Sequence, residues 1–133
     1  MANSAHNAGV WFEIYVQDLP RAKAFYEKVL DTTLEPLAEP GTDPSTDGMQ
    51  MLAFPGGNMD SYGSGGALVK MQGVPSGGST LVYFGSEDCA VELGRVEAAG
   101  GKLFKDKFPI GEHGFCGIGV DPDGNMFGVH SMK

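Results

Sequence analysis

An internal repeat constrains the fold of this chain more than any other feature of its sequence. The segments Val10–Val16 and Thr80–Ser86 align at an offset of 70, and the same offset superimposes Asp18 on Asp88. Both segments open with a β-rich run, and both aspartates can cap a helix by accepting hydrogen bonds from its first free N–H groups. The chain is therefore predicted to build one strand–helix unit twice.

The residues after each aspartate predict a helix followed by three strands. In the first copy, Ala22, Phe25 and Val29 recur at a spacing of three and four, which predicts a helix that packs on a sheet and ends near Leu30. The second copy has a weaker stripe and a stop signal at Gly100-Gly101. The stripe of the second copy comprises Val91, Leu93, Val96, Ala98 and Ala99. Three strands are predicted after each helix: Thr33–Pro36, Gly48–Phe54 and Ala67–Met71 in the first copy, and Lys102–Phe108, Gly114–Val120 and Met126–Met132 in the second.

These elements predict an α+β fold of two βαβββ modules. The modules cover residues 8–72 and 79–132, and the length of 133 residues suits a single domain over residues 1–133. The turn Asp121-Pro122-Asp123-Gly124-Asn125 marks the last hairpin, because proline presets one turn dihedral and glycine tolerates a positive φ.

The composition and charge of the chain indicate which partners it can bind and in which compartment it is found. With 9 basic and 17 acidic residues the formal net charge is −8, which repels nucleic acid and anionic membrane surfaces. The sequence shows no signal peptide and no apolar run of about 20 residues, so a cytoplasmic protein without nucleic acid or membrane partners is expected. Cys89 and Cys116 lack CxxC spacing and are interpreted as free thiols that serve packing.

Two strings of residues resemble the signatures of a known superfamily. WFEIYVQDLPRAKAFYEKVL at residues 11–30 and DPDGNMFGVHSMK at residues 121–133 resemble the opening and closing motifs of vicinal oxygen chelate proteins, the glyoxalase, bleomycin-resistance and dioxygenase superfamily. The resemblance covers nearly the whole chain. It implies two modules whose mixed, curved sheets enclose a ligand cavity, often within a homodimer.

The resemblance also implies where a metal would bind in metal-using relatives. Their usual ligands are a His seven residues before each capping Asp and a Glu three residues after the Asn of DPDGN; here these positions hold Trp11, Leu81 and Gly128. None of these side chains can bind a metal, so no metal is expected at the usual site. If a divalent metal is held, Glu13 and His130 are its candidate ligands, but about three protein ligands are normally needed. The identity of any cofactor is left open by the sequence.

Strand alternation selects the candidate site residues. Trp11, Glu13 and Tyr15 share one strand face, and the apolar face with Phe12 and Ile14 is expected to lie under the helices. By the same reasoning Leu81, Tyr83, Gly85, Gly128 and His130 face the cavity from the second module.

Glu13 and His130 are the candidate catalytic residues. A carboxylate among aromatic rings suits a general base, although a structural salt bridge of Glu13 with His130 or Lys70 is the alternative. His130 can act as acid, base or ligand, or as an ordinary satisfied polar residue. The candidate ligand-binding residues are Trp11, Tyr15, Tyr83, Lys70 and His113.

Two functions from different classes follow. The first is a glyoxalase-like isomerase or lyase that uses Glu13 and His130 on a small metabolite. The alternative is a metal-free protein that binds or sequesters a small molecule, as bleomycin-resistance proteins do. Fold alone does not choose between them.

Overall fold

Two four-stranded mixed sheets, each with a helix, form the structure, a computed structural model that describes residues 9, 11–37, 49–56, 63–78 and 80–133. This arrangement confirms the predicted α+β class and the order βαβββ in both halves. Val10 and Gly48, at the ends of two predicted strands, lie outside the described residues. The elements of the first half are β1 (Trp11–Tyr15), α1 (Leu19–Leu30), β2 (Glu35–Pro36), β3 (Gln50–Ala53) and β4 (Gly65–Lys70); those of the second are β5 (Val82–Gly85), α2 (Cys89–Leu93), β6 (Lys102–Pro109), a 3₁₀ turn (Gly111–His113), β7 (Phe115–Val120) and β8 (Met126–Ser131).

The two sheets have the same topology. Their strand orders are β1-β4-β3-β2 and β5-β8-β7-β6. The first strand of each half pairs in parallel with the last strand of the same half, and the other pairs are antiparallel. Consequently β1 and β5 each lie at the edge of their sheet, with one side unpaired within it.

Both predicted helix caps are present. The Asp18 carboxylate accepts a hydrogen bond from the Arg21 N–H at 3.0 Å, and the Asp88 carboxylate accepts one from the Ala90 N–H at 3.1 Å. These bonds satisfy donors that a helix leaves free in its first turn.

The second helix is shorter than predicted. It ends at Leu93 and continues as turns to Gly100, because Gly94 has poor helix propensity and the next N–H groups bond three residues back. The predicted apolar stripe is correct for Leu93 and Val96, which are buried, but wrong for Val91, which is 49% exposed, and for Ala98, which is also exposed.

Among the described residues, a buried cluster draws on both halves of the chain. Within it the rings of Tyr26 and Phe127 lie 5.7 Å apart, and the partly buried Phe84 packs against it with its ring 5.4 Å from that of Phe54. Aromatic pairs at these separations add to the stabilisation from burial. The first module therefore packs on the second through aromatic side chains.

The DPDGN turn is fixed to α1 by a buried carboxylate. Asp121, which is 4% exposed, accepts hydrogen bonds from the Tyr26 hydroxyl at 2.8 Å, from the Asn125 side-chain amide at 2.9 Å and from the N–H groups of Asp123 and Asn125. Burial, with the nearby Asp121 charge, raises the pKa of Tyr26 well above its usual value. The phenol therefore stays neutral and keeps donating at physiological pH.

None of the described helices is long and apolar enough to cross a bilayer.

Candidate functional site

Glu13 is held between two aromatic side chains of its own strand. The Trp11 indole N–H donates to one carboxylate oxygen at 3.1 Å, and the Tyr15 hydroxyl donates to the other at 2.6 Å. Residues two apart on a strand share a face, so the three side chains form a row on the solvent side of β1. The hydrogen bond to Glu13, together with burial, raises the pKa of Tyr15 and keeps its proton in place.

His130 is oriented by the backbone of the 3₁₀ turn. Its Nε2 lies 2.7 Å from the carbonyl oxygen of His113. A carbonyl can only accept, so Nε2 carries the proton in this bond and Nδ1 of the neutral ring keeps a free lone pair. Gly114, with φ of 100°, ends the turn and brings the His113 carbonyl to β8.

A cavity of about 930 Å³ lies where the two halves meet. This volume is in the range of small-molecule sites. The polar residues along it include Thr32, Ser64, Glu92, Cys116 and His130. Burial raises the pKa of the Cys116 thiol and keeps it protonated. The apolar wall consists chiefly of Phe12, Leu30, Phe54, Val82, Tyr83, Phe84, Phe108 and Ile110.

Glu13 and His130 do not share this cavity. Glu13 lines a second, smaller pocket of about 210 Å³ together with Tyr15 and Asn125, and His130 lines the large one. The expectation that the two side chains face one cavity is therefore wrong within one chain. It failed because strand alternation gives the face of a side chain but not the pocket above that face.

The large cavity also receives residues that were expected to lie under the helices. Phe12 and Phe84 line it, and so do four successive residues of β5, Val82 to Gly85. Residues of both faces of β5, a strand at the edge of its sheet, line the cavity, so alternation does not separate core from cavity there. The position of β5 in the sheet was the missing information, and sequence periodicity does not contain it.

The other predicted ligand-binding residues lie in different places. Trp11 is 46% exposed, contacts Glu13 and lines neither pocket. Lys70 ends β4 and, in the described part of the chain, forms no ion pair with Glu13. His113 is exposed and contributes its backbone carbonyl, as described above, rather than its imidazole.

The residues at the family's usual metal positions do not fit a metal. Trp11 is occupied with Glu13, Leu81 is apolar, and Gly128 lies beneath the ring of Tyr83. Among the described residues, no three His, Cys, Asp or Glu side chains come close enough together to hold an ion. No step of a mechanism through a bound metal follows from these side chains.

The two sheets and their shared topology define a paired-βαβββ protein. Residues 9–129 match the family model described as Glyoxalase/Bleomycin resistance protein/Dioxygenase superfamily. The chain belongs to this superfamily, as its two end motifs indicated.

Individual relatives and solved structures share only 22–28% of their residues with this chain. The anthracycline biosynthesis protein DnrV of Streptomyces peucetius is 28% identical over 97% of this chain and 48% of its own length. Glyoxalase I from Zea mays has a similar structure, with a TM-score of 0.67 and 23% identity over 94% of this chain and 48% of that one. The structure of a superfamily member from Sphaerobacter thermophilus has a TM-score of 0.67 and 22% identity over 94% of this chain and 98% of that one. The chain thus spans about half the length of the curated relative, and at these identities the solved structures show the fold alone.

Proposed function

We propose that the protein binds a small organic molecule in its large cavity without using a metal. The observation that carries this proposal is the cavity itself: its volume is about 930 Å³, and its walls are mostly aromatic and aliphatic with polar residues such as Glu92 and His130 among them. Such sites bind organic ligands through burial of apolar surface, and a few polar groups orient the ligand. The residues at the usual metal positions support binding without a metal.

The net charge and the curated relative narrow the chemical class of the ligand. The net charge of −8 favours a neutral or cationic molecule over an anion. The curated relative is named for anthracycline biosynthesis, which supports an organic product or intermediate of that kind of chemistry. We further propose that the modules of residues 8–72 and 79–132 act as one domain, as the shared core supports, in the cytoplasm.

Filling the cavity is expected to weaken binding. At Gly85, which lines the cavity, an added Cβ meets no atom within 4 Å, so Gly85→Phe should place a ring in the ligand space and leave the fold intact. We expect it to weaken one-to-one binding of the neutral fluorescent probe N-phenyl-1-naphthylamine about 10-fold, which is about 1.4 kcal/mol. A metal chelator should leave the affinity of the wild type unchanged.

The control for this experiment is Val91→Phe, which adds a ring at an exposed position outside the cavity. Thermal unfolding checks that both variants are folded. A wild type that does not bind the probe, or a Gly85→Phe variant that binds it as tightly, would contradict the proposed cavity function.

Acid–base catalysis by Glu13 and His130 is the second candidate. It is supported by the fixed tautomer of His130, whose free Nδ1 can accept a proton, and by a carboxylate held in place by two donors. Because the two side chains line different pockets in one chain, this function requires that they meet across a homodimer. Membership of the superfamily supports such a dimer, since its members are often homodimers.

Complementation tests both the dimer and the catalytic pair. Glu13→Gln and His130→Gln are each expected to lower isomerisation of the methylglyoxal–glutathione hemithioacetal by roughly 100-fold or more, since general acid–base groups contribute about that much. Refolding the two variants together should restore part of the activity, because a mixed dimer has one site with both native residues. Sedimentation velocity measures the oligomeric state of each preparation. Absence of turnover in the wild type, or a mixture no more active than its parts, would reject this candidate and leave ligand binding.

A further inference from the structure

Gly128 is covered by an aromatic ring. Tyr83 and Gly128 are paired positions on the neighbouring strands β5 and β8. A Cβ atom added to Gly128 would lie 2.3 Å from Tyr83 Cε2, 2.4 Å from Cδ2 and 3.0 Å from Cγ. No side chain fits in that space, so the Tyr83 ring lies directly on the backbone of Gly128.

The opposite side of the Tyr83 ring is available to a ligand. Tyr83 is 49% exposed and lines the large cavity. A ring that rests on a peptide backbone cannot tip towards it without collision, so the backbone restricts the orientation of the ring before a ligand arrives. Such preorganisation lowers the entropy lost on binding.

The other half of the chain has a different pair at the equivalent place. The offset of 70 puts Glu13 where Tyr83 stands, and Glu13 pairs with Ala67 in the register in which Tyr83 pairs with Gly128. A small carboxylate is compatible with a Cβ on the neighbouring strand, whereas an aromatic ring lying flat is not. Gly128 therefore does more than lack a side chain that could bind a metal. It also leaves the space that the Tyr83 ring occupies.

A second ring in the cavity is seated in the same way. Phe12 pairs with Gly66, and a Cβ there would lie 2.4 Å from two atoms of the Phe12 ring. Phe12 lines the same cavity as Tyr83, so two cavity rings are held flat against glycine backbones. Tyr83 is the more exposed of the two.

We propose that the Tyr83 ring, seated on Gly128, is the platform on which a flat conjugated ring of the ligand stacks. The proposal rests on the proposed cavity function and names its ligand class as molecules with a planar unsaturated ring system. Offset stacking on an aromatic ring adds affinity beyond the area buried, and a saturated ring of equal size does not gain it. Tyr83 and Gly128 together then determine specificity, the first by contact and the second by positioning the first.

The experiment compares a flat probe with a saturated one. Binding of quinizarin, a planar dihydroxyanthraquinone, is followed by its fluorescence, and binding of 4-cyclohexylcyclohexanol is followed by displacement of N-phenyl-1-naphthylamine. We expect Tyr83→Leu to weaken quinizarin binding roughly 10-fold and Tyr83→Phe to leave it within about twofold. Neither substitution should change the affinity for the saturated alcohol by more than about twofold.

A double-mutant cycle tests the positioning role of Gly128. Gly128→Ala should weaken quinizarin binding as much as Tyr83→Leu does, and the double variant should lose no more than either single variant, because both remove the same platform. Gly9→Ala is the matched control: it adds the same methyl group at an exposed position that does not line the cavity and where nothing lies within 4 Å, and it should leave binding unchanged. Thermal unfolding of each variant separates loss of the platform from loss of the fold.

The outcomes separate the two proposals. A wild type that binds neither probe contradicts the cavity function and the platform together. A wild type that binds both probes, with quinizarin affinity unchanged in Tyr83→Leu, overturns the platform and leaves the cavity function standing. Additive losses from Tyr83→Leu and Gly128→Ala overturn the role of Gly128.

Discussion

Replacing Asp121 by alanine is expected to lower the free energy of unfolding by about 3–5 kcal/mol. The carboxylate is buried and accepts hydrogen bonds from the Tyr26 hydroxyl, from the Asn125 amide and from two backbone N–H groups. Alanine leaves these donors without their acceptor, and each buried unsatisfied group costs about 1–3 kcal/mol. Because Tyr26 belongs to α1, the substitution also removes one link between the last hairpin and the first module, while the ion pair of Arg21 with Asp123 remains. Urea denaturation followed by circular dichroism measures the change.

Two further variants make this expectation specific. Tyr26→Phe removes only one of the hydrogen bonds and is expected to cost about 1–2 kcal/mol. Asp106→Ala removes an exposed carboxylate on β6 and should change stability by no more than about 0.5 kcal/mol. If Asp121→Ala proves as mild as Asp106→Ala, the hydrogen bonds to Asp121 do not hold the hairpin.

The fold was predictable because its signals are local and occur twice. The spacing of Ala22, Phe25 and Val29 determines which side of α1 is buried, and all three are buried. The capping aspartates act within three residues of themselves. Signals of this kind do not depend on distant parts of the chain, so the order βαβββ could be predicted in both halves. The length of α2 was less certain, because a weak apolar stripe interrupted at Gly94 competes poorly with tertiary contacts.

The site was less predictable because it depends on how the sheets meet. Alternation correctly put Glu13, Trp11 and Tyr15 in one row, since that arrangement is a property of a single strand. It could not show that His130 lines another pocket, or that β5 lies at an edge where both Tyr83 and Phe84 reach the cavity. Those facts come from strand pairing between residues far apart in sequence. The match between Tyr83 and Gly128 can be recognised only when it is known that these residues are paired across β5 and β8.

Replacing Phe84 by alanine is expected to lower the free energy of unfolding by about 3 kcal/mol, at the lower end for a phenylalanine in a core because its side chain is only partly buried. Its ring lies within 5.4–6.2 Å of the ring centroids of Phe12, Tyr26, Phe54 and Phe127, and these contacts join the two modules. No rearrangement of a single neighbour can fill the space left by a ring that touches four others.

The neighbouring residue provides the comparison. Tyr83→Ala, one position away on the opposite face of β5, removes a half-exposed ring and should cost less than about 1 kcal/mol of stability. Urea denaturation and quinizarin titration of both variants measure the two effects side by side. Equal losses of stability would contradict the expectation that Phe84 contributes chiefly to the packing of the two modules and Tyr83 chiefly to the proposed ligand contact. With the expected result, Phe84 chiefly maintains the cavity and Tyr83 chiefly uses it, so two adjacent residues of one edge strand separate the requirements of folding from those of binding.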